Sequence, residues 1–93
     1  MDMIYQVSYE LRTQNKDYTQ LYSFLEKELG SSAIHVQRDT WWIDFSGKDI
    51  NDVCDEIRNR IGESDIFYLS QLDTLHINGW MPSTTWNWLR EHK

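Results

Sequence analysis

Few side chains in this 93-residue sequence belong to types that do chemistry, and they are scattered: Glu10, Asp44, the histidines His35, His76 and His92, and the single cysteine Cys54. Glu10 with Asp44, or Glu10 with its copy in a second subunit, could ligate Mg²⁺ or Mn²⁺, and Glu10 could serve as a general base. No fixed spacing of several ligands supports a metal site, so the plainer role for Glu10 is a strand-end carboxylate held by water or nearby amides. Imidazole titrates near neutrality, but the three histidines lack zinc-site spacing. His35 falls on an exposed strand face as a polar sheet residue, and His92 reads as tail. Cys54 lies in an apolar helical stripe, as a packed thiol does, and the chain has no Gly-rich phosphate loop or nucleophile elbow.

These residues are placed by alternation along the chain. In residues 3 to 11, Tyr5, Val7, Tyr9 and Leu11 alternate with Ile4, Gln6, Ser8 and Glu10, which predicts a strand with one face under helices and a mostly polar face opposite. Ile34 and Val36 alternate with His35 and Gln37, and after a turn at Arg38-Asp39 the run Thr40 to Phe45 resumes the pattern, predicting a hairpin. Trp41, Ile43 and Phe45 then face the core, leaving Trp42 and Asp44 beside Glu10 on the open face. A fourth strand over residues 65 to 72 turns Phe67 and Leu69 inward and Ile66, Tyr68 and Ser70 outward.

Two helices separate the strands. Asp17 and Gln20 resemble a capping box ahead of Tyr18, Leu21, Tyr22, Leu25 and Leu29, with Gly30 as the stop. Residues 46 to 49 supply punctuation and a cap for Ile50, Val53, Cys54, Ile57 and Ile61, ended by Gly62. The order β-α-β-β-α-β over residues 1–72 predicts an α+β, ferredoxin-like sandwich: a four-stranded antiparallel sheet with two helices on one face and the other face uncovered. Residues 73–93 form a Trp-rich extension. Leu75-His76-Ile77 is expected as a short edge strand, residues 79–82 as a break, and Ser83-Thr84 as the cap of a helix with Trp86, Trp88 and Leu89. Such a tail packs on its own domain or on a second subunit.

Five Trp, five Tyr and three Phe exceed what a small two-layer domain needs inside, so some aromatic surface belongs to an interface. The net charge of −6 opposes unaided binding to phosphate backbones. Trp42 and Tyr68 on an open sheet suggest stacking of bases, but the glycine-aromatic pattern of RNA-recognition domains is absent and a face-to-face dimer accounts for them more simply. Arg12, Lys16, Arg38 and Lys48 are a scattered basic rim. One cysteine excludes an internal disulfide, and no apolar leader or membrane-length run is present, so a reducing, cytoplasmic setting without a membrane partner is expected.

Val7-Ser8-Tyr9-Glu10-Leu11 resembles the first-strand Tyr-Asp motif of the small CRISPR-associated ferredoxin-like nuclease and scaffold family, and His35-Val36-Gln37 resembles its Arg-Val-Gln strand. The residue 65–72 strand matches in length, pattern and leading Asp. Tyr9-Glu10-Leu11-Arg12, Asp17-Tyr18, Leu21-Tyr22, Thr40-Trp41, Asp65 and the Trp-rich end are more similar still to short bacterial SinR-like proteins, relatives of that family and of virulence-associated protein D.

The resemblance implies stacked sheet faces in a dimer, with paired first-strand Asp residues holding a divalent metal for phosphodiester hydrolysis. Here Glu10 stands at that position and His35 replaces the Arg, and glutamate's extra methylene displaces its oxygens from the geometry Mg²⁺ requires. The expected function is therefore a bacterial or phage homodimeric interaction or scaffold protein with weak or no catalysis, its interface drawn from Gln6, Ser8, His35, Trp42, Asp44, Tyr68, Ser70, Trp80 and Trp86. The alternatives are a Mg²⁺- or Mn²⁺-dependent endonuclease on RNA or DNA using Glu10, and an acidic inhibitor or nucleic-acid mimic that binds a basic protein partner.

Overall fold

The first strand, β1 (Ile4–Glu10), sits inside the sheet. In the computed structural model, which describes residues 3–45 and 47–93, it pairs antiparallel with both β3 (Thr40–Asp44) and β4 (Ile66–Gln71). The strand β2 (Ala33–Gln37) pairs antiparallel with β3, completing a four-stranded sheet of order β2-β3-β1-β4. Among the described residues three α-helices accompany it, so the chain is a small α+β protein.

Alternation along β1 and β3 puts Val7, Tyr9, Trp41 and Ile43 on one face, where they form a core with Leu21, Phe24, Leu25 and Ile57. Trp41 Nε1–H donates to Tyr9 Oη at 3.2 Å, satisfying both polar ends inside this core. Burial pushes the Tyr9 phenol well above its ordinary range. The first helix begins as α1 (Thr19–Ser23) and widens into a π-helical stretch (Phe24–Glu28), and Phe24 is buried beside Leu25. Asp17 Oδ1 accepts from Thr19 N–H at 2.9 Å and from the Thr19 hydroxyl. That bond spans two residues and the helix starts at Thr19, so Asp17 makes an Asx turn, and the expected box with Gln20 does not form. Gly30 stops the helix with φ +53°, a left-handed conformation that glycine takes without a steric penalty.

The second helix, α2 (Ile50–Arg58), is capped as expected by Asp49, whose Oδ1 accepts from Asn51 N–H at 2.8 Å and Asp52 N–H at 3.0 Å. Ser46, in the punctuation before it, lies outside the described residues. Val53 and Ile57 are buried, Cys54 is half-buried, and Ile50 stands at the exposed rim. Gly62 lies beyond the helix and answers a different need: a Cβ there would come within 2.4 Å of Thr13 Oγ1 and 2.8 Å of Thr13 Cβ.

The close approach of Gly62 to Thr13 belongs to a knot around Asp65. Its Oδ1 accepts from Arg12 N–H (2.5 Å) and Thr13 N–H (2.9 Å), and its Oδ2 from Gly62 N–H (2.7 Å). The Tyr18 hydroxyl lies between the two oxygens at 2.6 and 2.7 Å. One carboxylate thus joins the end of the first strand, the start of the first helix and the turn into β4. Burial works to raise the Asp65 carboxyl, but these donors outweigh it and hold the group far below the usual carboxylate range.

The third helix, α3 (Ser83–His92), overturns the expectation of an uncovered second face. It packs Trp88 and Leu89 against Ile4 and Trp42, with Ile34 and Val36 beside them, to make a second core on the far side of the sheet. Trp88 Nε1–H donates to the Ser31 carbonyl at 2.9 Å, and the Trp42 and Trp88 rings lie 6.4 Å apart. The expected edge strand at residues 75–77 is instead a turn. Asp73 Oδ1 accepts from the amides of Leu75 (3.0 Å) and His76 (3.1 Å), which takes those groups away from any ladder. Ser83 and Thr84 do not cap α3: Pro82 holds the N-cap position and no side chain caps the helix.

Candidate functional site

The far face of the sheet is divided in two. Its β2-β3 half is filled by α3, and its β1-β4 half, near the end of β1, carries Glu10, Ile66 and Tyr68 in the open beside a half-buried Ser8. Ile66 is 51% and Tyr68 59% exposed, although the first is opposite Glu10 and the second opposite Ser8 in a regular ladder. With Tyr9 and Phe67 these residues line a shallow hollow of about 260 Å³. Ser70, also exposed, continues the strip opposite Gln6.

The residues expected to share this face do not all come together. Trp42 is 2% exposed under α3, so it is no stacking platform, and its Nε1–H donates to Gln6 Oε1 at 3.2 Å. His35 lies on the opposite face: it pairs with Trp41 across the hairpin and stacks on that ring at 4.5 Å, while its Nε2 lies 2.9 Å from the Arg38 carbonyl. Asp44 pairs in register with Ile4, at the far end of β1 from Glu10 and roughly 20 Å away at ~3.3 Å per residue. Its Oδ2 is 2.8 Å from His92 Nδ1, and the His92 ring stacks on Trp88 at 4.2 Å. His92 is thus a clasp that holds α3 to β3, not free tail. Trp86 is partly buried against the second core, whereas Trp80 is fully exposed in the preceding loop.

Glu10 does reach the open half-face, where the Arg12 guanidinium contacts its carboxylate. That contact raises the Arg12 pKa, through the hydrogen bond first and the charge second. Residues two apart in an extended chain share a face, so this pairing was available from the spacing alone. A cation at Glu10 competes with a guanidinium already there, and Asp44 is too distant to assist. Among the described residues no cluster of three His, Cys, Asp or Glu could hold a metal ion. The described residues therefore do not assemble a divalent metal centre around Glu10.

A second hollow of about 600 Å³ lies between α1 and α2, but its cation is committed. Arg60 lies over the Phe24 ring at 4.3 Å and reaches Glu56 and Glu28. Among the described residues no helix is long and apolar enough to cross a membrane. Comparison with protein-family models, curated proteins and solved structures found no match to the chain.

Proposed function

We propose that the chain is a ferredoxin-like homodimeric interaction or scaffold protein with weak or no catalysis, in keeping with its resemblance to SinR-like and CRISPR-associated proteins. The strand order β2-β3-β1-β4 and the two crossing helices on one face support that fold. One observation carries the functional reading: α3 closes half of the far face and leaves the Ile66-Tyr68 strip of β4 bare, with large apolar side chains facing water. A chain with only a solvating role for this face would place polar residues there. The charge of −6 and the Arg12-occupied Glu10 weigh against a nuclease.

Sedimentation velocity over a range of concentrations tests the reading, combined with cleavage of labelled RNA and duplex DNA in Mg²⁺ or Mn²⁺ by the native chain and Glu10→Gln. A concentration-dependent dimer without turnover is expected. A strict monomer overturns the scaffold reading, and metal-dependent cleavage lost in Glu10→Gln replaces it with the endonuclease.

A further inference from the structure

The two borders of the sheet are built differently. β2 has an irregularity between His35 and Gln37, and the turn before it is tied to α3 through the Trp88 to Ser31 bond. β4 has neither protection: Ile-Phe-Tyr-Leu-Ser-Gln contains no charge and no proline, and its ladder with β1 has no register shift. Edge strands are normally blunted by charges, proline, bulges or a covering segment, because their free amides template pairing with another chain.

The register identifies those free groups. Leu72 N–H donates to the Ile4 carbonyl at 2.8 Å, which puts Ile4 and Leu72 in a hydrogen-bonded position. Such positions alternate along an antiparallel ladder, so Ser70, Tyr68 and Ile66 turn their backbone groups toward Gln6, Ser8 and Glu10. Tyr9 N–H donates to the Asp39 carbonyl on the other side of β1, which agrees with that phase. Phe67, Leu69 and Gln71 therefore turn their N–H and C=O groups away from the sheet.

We infer that β4 pairs antiparallel with β4 of a second copy about a two-fold axis, joining the two sheets into one. The inference rests on the homodimer reading above and specifies its contact. The free groups are self-complementary: with Leu69 opposite Leu69, Phe67 of each copy meets Gln71 of the other, and each outward donor finds an outward acceptor. The same alignment sets Tyr68 against Ser70 of the other copy on the bare face, giving each exposed Tyr68 ring a cross-strand neighbour. No charged residue lies within the paired run, which matters between two chains of −6 each. The acidic groups at its ends are held within their own chain, Asp65 by backbone amides and Asp73 by the turn and His76.

Amide hydrogen exchange, resolved by residue at two concentrations that straddle dimer formation, tests this pairing. The amides of Phe67, Leu69 and Gln71 should gain at least tenfold protection in the dimer, while those of Tyr68 and Ser70 are protected at both concentrations. Gln71→Pro, which removes an outward N–H from an exposed residue, should shift the chain to monomer while protection of Tyr68 and Ser70 persists. A dimer whose Phe67, Leu69 and Gln71 amides exchange as fast as in the monomer overturns edge pairing and leaves the homodimer reading standing. A strict monomer overturns both. Protection of these amides that appears only with an added peptide of foreign sequence also overturns the inference and assigns the edge to that partner.

Discussion

Asp65 receives more donors than any other carboxylate in the described structure, and its environment leaves no room for an isosteric amide. Both oxygens accept from backbone N–H groups, Oδ1 from Arg12 and Thr13, Oδ2 from Gly62. In Asp65→Asn, either amide orientation points an N–H at a backbone N–H that cannot rotate away. The expected cost is about 3 kcal/mol of unfolding free energy, measured by denaturant titration. The same carboxylate predicts an acid response. Its folded-state value lies far below the ordinary 3.8, so above 3.8 the ionised form contributes its full stabilisation. As pH falls below 3.8 the unfolded chain takes up the proton first, and stability drops toward the folded value. Native protein should therefore lose more stability than Asp65→Asn between pH 5 and pH 3, and equal losses would remove Asp65 from the explanation. Asp65 was visible in the sequence only as the residue that leads a strand. Its four donors come from Arg12, Thr13, Tyr18 and Gly62, and no local pattern joins them.

At the scale of elements, the strands and their inner faces were legible because alternation is a local property. Tyr5, Val7 and Tyr9, then Trp41 and Ile43, all fall on the helix-covered side as their spacing requires. The covering of the opposite face is not a local property, since what covers Trp42 arrives 46 residues later with Trp88 and Leu89. The face of His35 is hidden from the sequence for a related reason: it depends on how Ala33 to Gln37 registers against β3, and Ile34, not His35, pairs with Trp42. The helix α3 is consequently a structural element, and Trp88 within it should separate from Trp80 in the loop before it. Trp88 is buried against Trp42, bonded to Ser31 and stacked on His92. Trp88→Ala should cost about 3–5 kcal/mol, expose Trp42 to fluorescence quenchers and open the 73–93 segment to proteolysis. Trp80→Ala, at a fully exposed loop position, should leave unfolding free energy unchanged within about 0.5 kcal/mol. Equal effects from the two would mean that α3 does not seal the sheet in solution.

For the whole molecule, the charge and the proposed contact act in opposite directions, and salt separates them. Two copies of −6 joined side by side have centres on the order of 28 Å apart, taking the intermediate dimension of the chain. Coulomb repulsion at that distance is on the order of 2 kcal/mol at 10 mM salt, where the Debye length is about 30 Å. It falls to a few tenths at 150 mM, where that length is about 8 Å. The strand that forms the contact has no charge of its own to be screened. Dimerisation should therefore strengthen roughly twentyfold between these salt concentrations, a change that sedimentation equilibrium measures directly. A nucleic-acid mimic gripping a basic protein behaves in the opposite sense, because salt removes the attraction on which it depends. A homodimer that dissociates as salt is added would place ion pairs, Glu10 and Arg12 first among them, across the contact in place of within each chain. The sign of the salt dependence thus distinguishes an uncharged seam at β4 from a charged one at the end of β1.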